Sequence, residues 1–197
     1  MKVNYVGVIG GILAFISLAL PWWTLTFSSS VMGFTISADV SIYPYRGAIS
    51  FMGFTMDIPI NLWFGLASLA FIIIGGILGI VGSITQAKGK AALIIGGFLA
   101  LLSIIVFAAG LQSEFSKGTS IPSPVPGESP LEIPAVGLFS NGTWNLMGTS
   151  LNYTSYLSFG FWLALVAAIL MLAGVKKVEE AAPTPAPVTL PVPPPPP

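Results

Sequence analysis

Four long stretches of the chain carry no charged residue: Tyr5 to Trp23, Ile60 to Ile84, Ala91 to Leu111 and Tyr156 to Val175. The seven Lys+Arg and seven Asp+Glu all lie between or beyond them. As helices rising about 1.5 Å per residue, these runs reach roughly 28 to 37 Å, enough to cross a hydrocarbon core of about 30 Å. Lipid offers no partner to a backbone N–H or C=O, so such runs must be helical. The fold class that follows is an all-α polytopic membrane protein: a four-helix transmembrane bundle with a small extracellular antiparallel β-sheet from the two outer loops. Composition agrees, since 54% of residues are hydrophobic and 7% charged, whereas a soluble domain carries about 25% charged residues.

Positive charge sets the orientation. If the spans alternate, Lys2, Lys88, Lys90, Lys176 and Lys177 share one side, leaving Arg46 and Lys117 on the other. Both termini are therefore expected in the cytoplasm of a cell-membrane protein. The outer loops are 24–59 and 112–155, the inner linker is 85–90 and the tail is 176–197. Trp22, Trp23 and Trp63 fall at outer span ends, the depth amphipathic rings prefer. A cleaved signal peptide ending near Ser17-Leu18-Ala19 is the rival reading of the N-terminus. The tail is rich in proline, hence extended and disordered, with an aromatic-groove ligand as the alternative.

One block recurs along the spans: Ile9-Gly10-Gly11-Ile12-Leu13, Ile74-Gly75-Gly76-Ile77-Leu78 and Ile95-Gly96-Gly97-Phe98-Leu99, with Val166-Ala167-Ala168-Ile169-Leu170 as a looser copy. Small residues let helix backbones approach where no hydrophobic effect drives association. Gly7, Gly10, Gly11, Gly75, Gly76, Gly79, Gly96, Gly97, Ala100, Gly160, Ala164 and Ala168 are the predicted helix-packing positions. They serve seams within the chain or, alternatively, a homodimer seam. Every block lies in the cytoplasmic half of its helix, so the bundle is expected to be tightest there and looser outside.

The first outer loop alternates strictly from Phe34 to Tyr43, which predicts a half-buried strand. Ile49 and Phe51, then Phe54, Met56 and Ile58, follow with a phase shift at Met52-Gly53 that suggests a bulge. Leu25 and Phe27 supply a further strand. In the second loop, a Pro-rich spacer covers 120–134, and Asn141-Gly142 between apolar residues predicts a hairpin turn. Phe34, Ile36, Val40, Ile42, Phe51, Phe54 and Trp144 are the candidate extracellular core or contact residues. Asn141-Gly-Thr and Asn152-Tyr-Thr are candidate N-glycosylation sequons.

Chemistry-bearing groups are scarce. The chain has no Cys and no His, and its spans hold no ionisable residue of the kind that pumps and proton-coupled carriers need. No catalytic residue, cofactor or metal ligand is assigned, and net charge zero leaves no field to attract nucleic acid. The expected partners are the lipid bilayer and a membrane protein or a second copy of the chain.

Four spans with both ends inside, a larger β-forming first outer loop, a short inner linker, Trp22-Trp23, and Asn61-Leu62-Trp63-Phe64-Gly65-Leu66 at the second span together resemble the claudin-type four-span plan. The resemblance is architectural, without that family's cysteine pair or its Trp…Gly-Leu-Trp motif. It implies adhesion, barrier or accessory-subunit work and carries over no functional residue. The functional expectation is a non-enzymatic interaction protein or accessory subunit of a membrane or envelope complex, acting through its outer sheet. The alternative is a passive pore or small-molecule permease.

Overall fold

The computed structural model describes residues 3–31, 34–58, 62–85, 89–116, 119–121, 131–133, 135–146 and 149–180. Its elements run α1 (Tyr5–Leu18), β1 (Trp23–Val31), β2 (Phe34–Ile42), β3 (Gly47–Phe51), β4 (Phe54–Ile58), α2 (Trp63–Ile84), α3 (Gly89–Phe115), β5 (Thr119–Ile121), β6 (Leu131–Ile133), β7 (Ser140–Leu146), β8 (Thr149–Leu157) and α4 (Phe159–Glu180). The architecture is mixed α/β rather than all-α. Six antiparallel strands form one sheet in the order β4-β3-β2-β1-β8-β7, and β5 pairs with β6 separately. Residues 23–58 and 140–157 thus build a six-stranded layer beside the bundle, where the sequence suggested a small sheet.

α2, α3 and α4 are long and apolar enough to cross a membrane. α1 is shorter, at 14 residues. The run expected to be helical to Trp23 leaves the helix at Leu18, because Pro21 disfavours helical geometry in the residue before it and cannot donate to the helix ladder. α4 likewise starts at Phe159 rather than Tyr156, which β8 occupies, while α3 continues past Leu111 to Phe115. The proline-rich tail lies outside the described residues.

The helices form a ring in which α1 packs on α2 and α4, and α3 packs on the same two. The small-residue doublets account for this. Consecutive helical residues point about 100° apart, so a doublet can serve two neighbours at once. A Cβ on Gly10 would lie 2.9 Å from the Ala167 carbonyl of α4, and one on Gly11 would lie 2.8 Å from the Gly76 carbonyl of α2. Gly75 faces the Gly96 carbonyl at 2.8 Å, while Gly76 faces Phe15 of α1 at 3.0 Å. Gly96 faces the Gly75 carbonyl at 2.7 Å, and Gly97 faces Leu172 of α4 at 2.6 Å. Ala167 and Ala168 close the ring, one carbonyl against Gly10 and the other against Gly97. Ala100, Ala164 and Ala168 are fully buried. Gly7 meets Ser83 and Leu93, and Gly79 meets Met171.

The half of the bundle nearer the sheet, expected to be looser, is filled. Trp22, Phe64, Phe107 and Phe161 fill it, with Trp22 edge-on to Phe107 at 5.1 Å and to Phe161 at 6.2 Å, and Phe64 edge-on to Phe107 at 5.8 Å. Gly110 makes room for the Phe64 ring. Trp22 and Trp23 are therefore interior residues, not rings at the membrane surface; Trp63 alone of the three is exposed. Trp22 also ties sheet to bundle. Its indole Nε1 donates to the Ser17 carbonyl at 2.9 Å, its backbone N–H to Ile42 at 2.8 Å, and its carbonyl accepts from Ser158 at 2.9 Å.

Candidate interaction surface

Strand register sorts the sheet's side chains onto two unlike faces. β1 and β2 pair Trp23 with Ile42, Leu25 with Val40, Phe27 with Ala38 and Ser29 with Ile36. β3 adds Ile49 opposite Val40 and Phe51 opposite Ala38. β4 adds Met56 opposite Ile49 and Phe54 opposite Phe51. On the other flank Leu157 and Tyr153 of β8 sit opposite Trp23 and Phe27, and Trp144 of β7 opposite Leu151. Side chains alternate sides along a strand, so all of these share one face, and it carries no formal charge among the described residues. The reverse face carries Thr24, Thr26, Ser28, Asp39, Ser41, Asn152 and Thr154. Thr26 Oγ1 donates to Asp39 Oδ1 there at 2.7 Å.

Two turns differ from expectation. Met52 and Gly53 have φ of +49° and +85° and form a two-residue hairpin turn with both centres left-handed, as tight hairpins favour. The phase shift is thus the turn itself, not a bulge, and it brings Phe51 and Phe54 side by side. Asn141-Gly142 lies inside β7, not at a turn; the β7–β8 connection falls at 147–148, outside the described residues. A side chain at Gly142 would collide with the Tyr153 ring, its Cβ 2.7 Å from the hydroxyl, so that glycine serves cross-strand packing.

Among the described residues, the apolar face is covered at its root only. Near the bundle, Trp23, Leu25, Ile42 and Leu157 are buried with Leu111 and Val136. Phe115 of α3 lies 5.3 Å from the Trp23 ring. Residues 135–139 dock on the end of α3, with Val136 N–H donating to the Phe115 carbonyl at 3.0 Å and Leu138 N–H to Gln112 Oε1 at 3.2 Å. Farther out no described residue covers it. An apolar cleft of about 360 Å³ lies between Phe27, Ile36, Ala38, Phe51, Trp144 and Leu151, and Trp144 leans on Phe27 at 5.9 Å.

Of the candidate contact residues, Ile42 is core, Val40 packs against the core, and Ile36, Phe51 and Trp144 line the cleft. Phe54 is exposed beyond it. Phe34 faces Val31 in the register, and its side chain lies outside the described residues. The two sequons turn out to face each other across β7 and β8: Asn141 pairs with Thr154 and Thr143 with Asn152. Thr143 Oγ1 donates to Asn152 Oδ1 at 3.2 Å. Both lie on the polar face.

At the foot of β2, Arg46 bonds Asp57 at 3.0 Å and sits 4.7 Å over the Tyr43 ring. Desolvation works against its charge, yet the fields of Tyr45, Asp57 and Tyr43 raise its pKa above the ordinary value. An exposed pair of this kind is structurally minor.

Sequence reasoning passed over Asn4. Its amide Oδ1 caps α1 by accepting from Gly7 N–H at 3.5 Å, its Nδ2 donates to the Gly174 carbonyl of α4 at 2.6 Å, and its N–H donates to Ser83 of α2 at 3.0 Å. An Asn immediately before an apolar helix is a capping signal; the other two bonds leave no trace in sequence.

No protein-family model and no curated protein matches the chain.

Proposed function

We propose that this chain is a membrane-embedded, non-enzymatic interaction protein or accessory subunit, with both termini cytoplasmic and the six-stranded sheet outside, and that the open part of the apolar sheet face is its contact surface. The observation that carries this reading is an uncharged face, covered by α3 at the root and left uncovered farther out by the described residues. Apolar patches of that kind on a protein mark interaction sites.

Membrane placement is supported by an inside-out bundle. Its buried positions are mostly Gly, Ala and Ser, while Ile9, Ile12, Phe15, Ile74, Ile77, Ile95, Phe98, Ile105 and Ile169 point outward. Trp63, Phe159, Trp162 and Tyr45 are exposed where helices meet the sheet, the level at which aromatic rings favour the interface. The aromatic filling of the outer bundle favours an interaction protein over a pore.

Affinity capture in mild detergent followed by intact-complex mass spectrometry tests the reading. The wild-type chain is expected in a defined complex, homomeric or heteromeric, that Phe54→Asp reduces at least several-fold while leaving recovery of the chain itself unchanged. A complex indifferent to Phe54→Asp, Met56→Asp and Ile36→Asp would remove this face from the function.

A further inference from the structure

The apolar face is not uniform. Its most exposed side chains lie on the β3–β4 hairpin, here termed the ridge, beside a groove, the cleft between Phe27, Ile36, Trp144 and Leu151. Ile49, Phe51, Met52, Phe54 and Met56 on the ridge are 38%, 45%, 65%, 77% and 70% exposed. With a large side chain offering about 200 Å², the ridge alone presents roughly 600 Å². That is at the upper end of what a monomer leaves bare, and with the cleft it approaches the roughly 800 Å² per partner of a stable complex.

From this we infer, resting on the interaction role just proposed, that the occupant of the face is a second copy of the chain, the ridge of each copy seated in the groove of the other. The sheet order provides the symmetry. Ridge strands β3 and β4 lie on one flank, and β8 and β7, which carry Leu151 and Trp144, on the other. A dyad running along the strands between two facing sheets places each copy's β4 over its partner's β7. The contact is then isologous, with Phe54 meeting Trp144 and Trp144 meeting Phe54. The absence of charge on the described face suits self-pairing, because a face meeting its own copy opposes like with like. Only the part beyond Phe115 and Val136 takes part.

The chain has no native cysteine, so single cysteines report position directly. Phe54→Cys and Trp144→Cys proteins, differently tagged, are mixed in lipid bilayers and treated with a thiol cross-linker of about 10 Å reach, the spacing of sheets packed face to face. The dyad predicts a mixed Phe54→Cys/Trp144→Cys product. Each variant alone gives on the order of tenfold less, because six strands spaced about 4.8 Å apart hold the two β4 edges beyond reach. Phe98→Cys on the outward side of α3 measures random encounter.

A product from Phe54→Cys alone equal to the mixed one would overturn the ridge-in-groove dyad. No product above the Phe98→Cys background, together with a monomeric mass, would overturn self-pairing altogether. In that case the wider reading is decided separately: it stands if a different protein is captured and lost with Phe54→Asp, and falls if capture is indifferent to that change.

Discussion

The side-chain amide of Asn4 and the backbone carbonyl of Gly174, 170 residues apart, are joined by a buried hydrogen bond of 2.6 Å. It is one of four bonds, with the Val8 N–H to its own carbonyl among them, by which a single residue ahead of α1 holds α1, α2 and α4 together. Asn4→Ala removes the cap and the crossing bond and is expected to destabilise the protein by about 1–3 kcal/mol. In an isolated helix Asp caps as well as Asn. Here Asn4→Asp puts a carboxylate against a carbonyl and should be no better than Ala. Thermal midpoints in detergent check both, and a wild-type midpoint for Asn4→Asp would mean that the bond to α4 contributes nothing.

Gly75→Ala and Gly96→Ala set two effects against each other. Helix propensity favours Ala by about 1 kcal/mol. Each new methyl, however, would lie 2.8 or 2.7 Å from a carbonyl of the facing helix, and backbone cannot rotate aside as a side chain can. Overpacking of this sort costs about 1–3 kcal/mol, so both variants should be net destabilised, and the pair should couple rather than add. The unfolding midpoints of the singles and the double measure it, and stabilisation of either single would contradict the close seam.

Ile42 and Phe54 share a face but not a role. Ile42→Asp buries a carboxylate among Trp23, Leu25 and Leu157 and should abolish recovery of folded protein, since an unpaired buried charge costs several kcal/mol or more. Phe54→Asp places the same group in solvent and should change stability by no more than about 0.5 kcal/mol. Size-exclusion profiles after extraction separate the two. Loss of fold in both would mean that the outer face is core.

The paired sequons offer a test of sidedness. In a host with the N-glycosylation pathway, sensitivity to a glycosidase is expected and should vanish in the Asn141→Gln, Asn152→Gln double variant. Both acceptors lie on the polar face, so a glycan there leaves the apolar face free, and assembly should survive it. Modification of an acceptor introduced at Thr85, at the C-terminal end of α2, would reverse the proposed orientation.

Some of this is legible in the sequence, and some is not. The strict alternation from Phe34 reads directly as β2, because the period of two is local. Gly10-Gly11 and its copies read as packing sites for the same reason. Which helix each glycine meets depends on how the ring closes, and no local signal carries that. Pro21 does mark the end of α1, but the apolar run through Trp23 outweighs it, and the two indoles at its end look like a surface belt until the sheet folds over them. At Asn141 a strong turn dipeptide yields to the register set by Trp144 against Leu151 and by Tyr153 over Gly142. The aromatic packing of Phe64 on Phe107 and Gly110 joins residues from different helices and has no sequence signature.

Two neighbouring interior strands of the sheet are continuations of helices: β1 follows α1 after four residues, and β8 runs into α4 after one. Their neighbours come from separate excursions of the chain, with α2 and α3 intervening. Neither segment cut out alone therefore carries the whole sheet, since each leaves behind strands on which the other depends. Antibodies, binding assays and crystals aimed at the sheet require the chain whole.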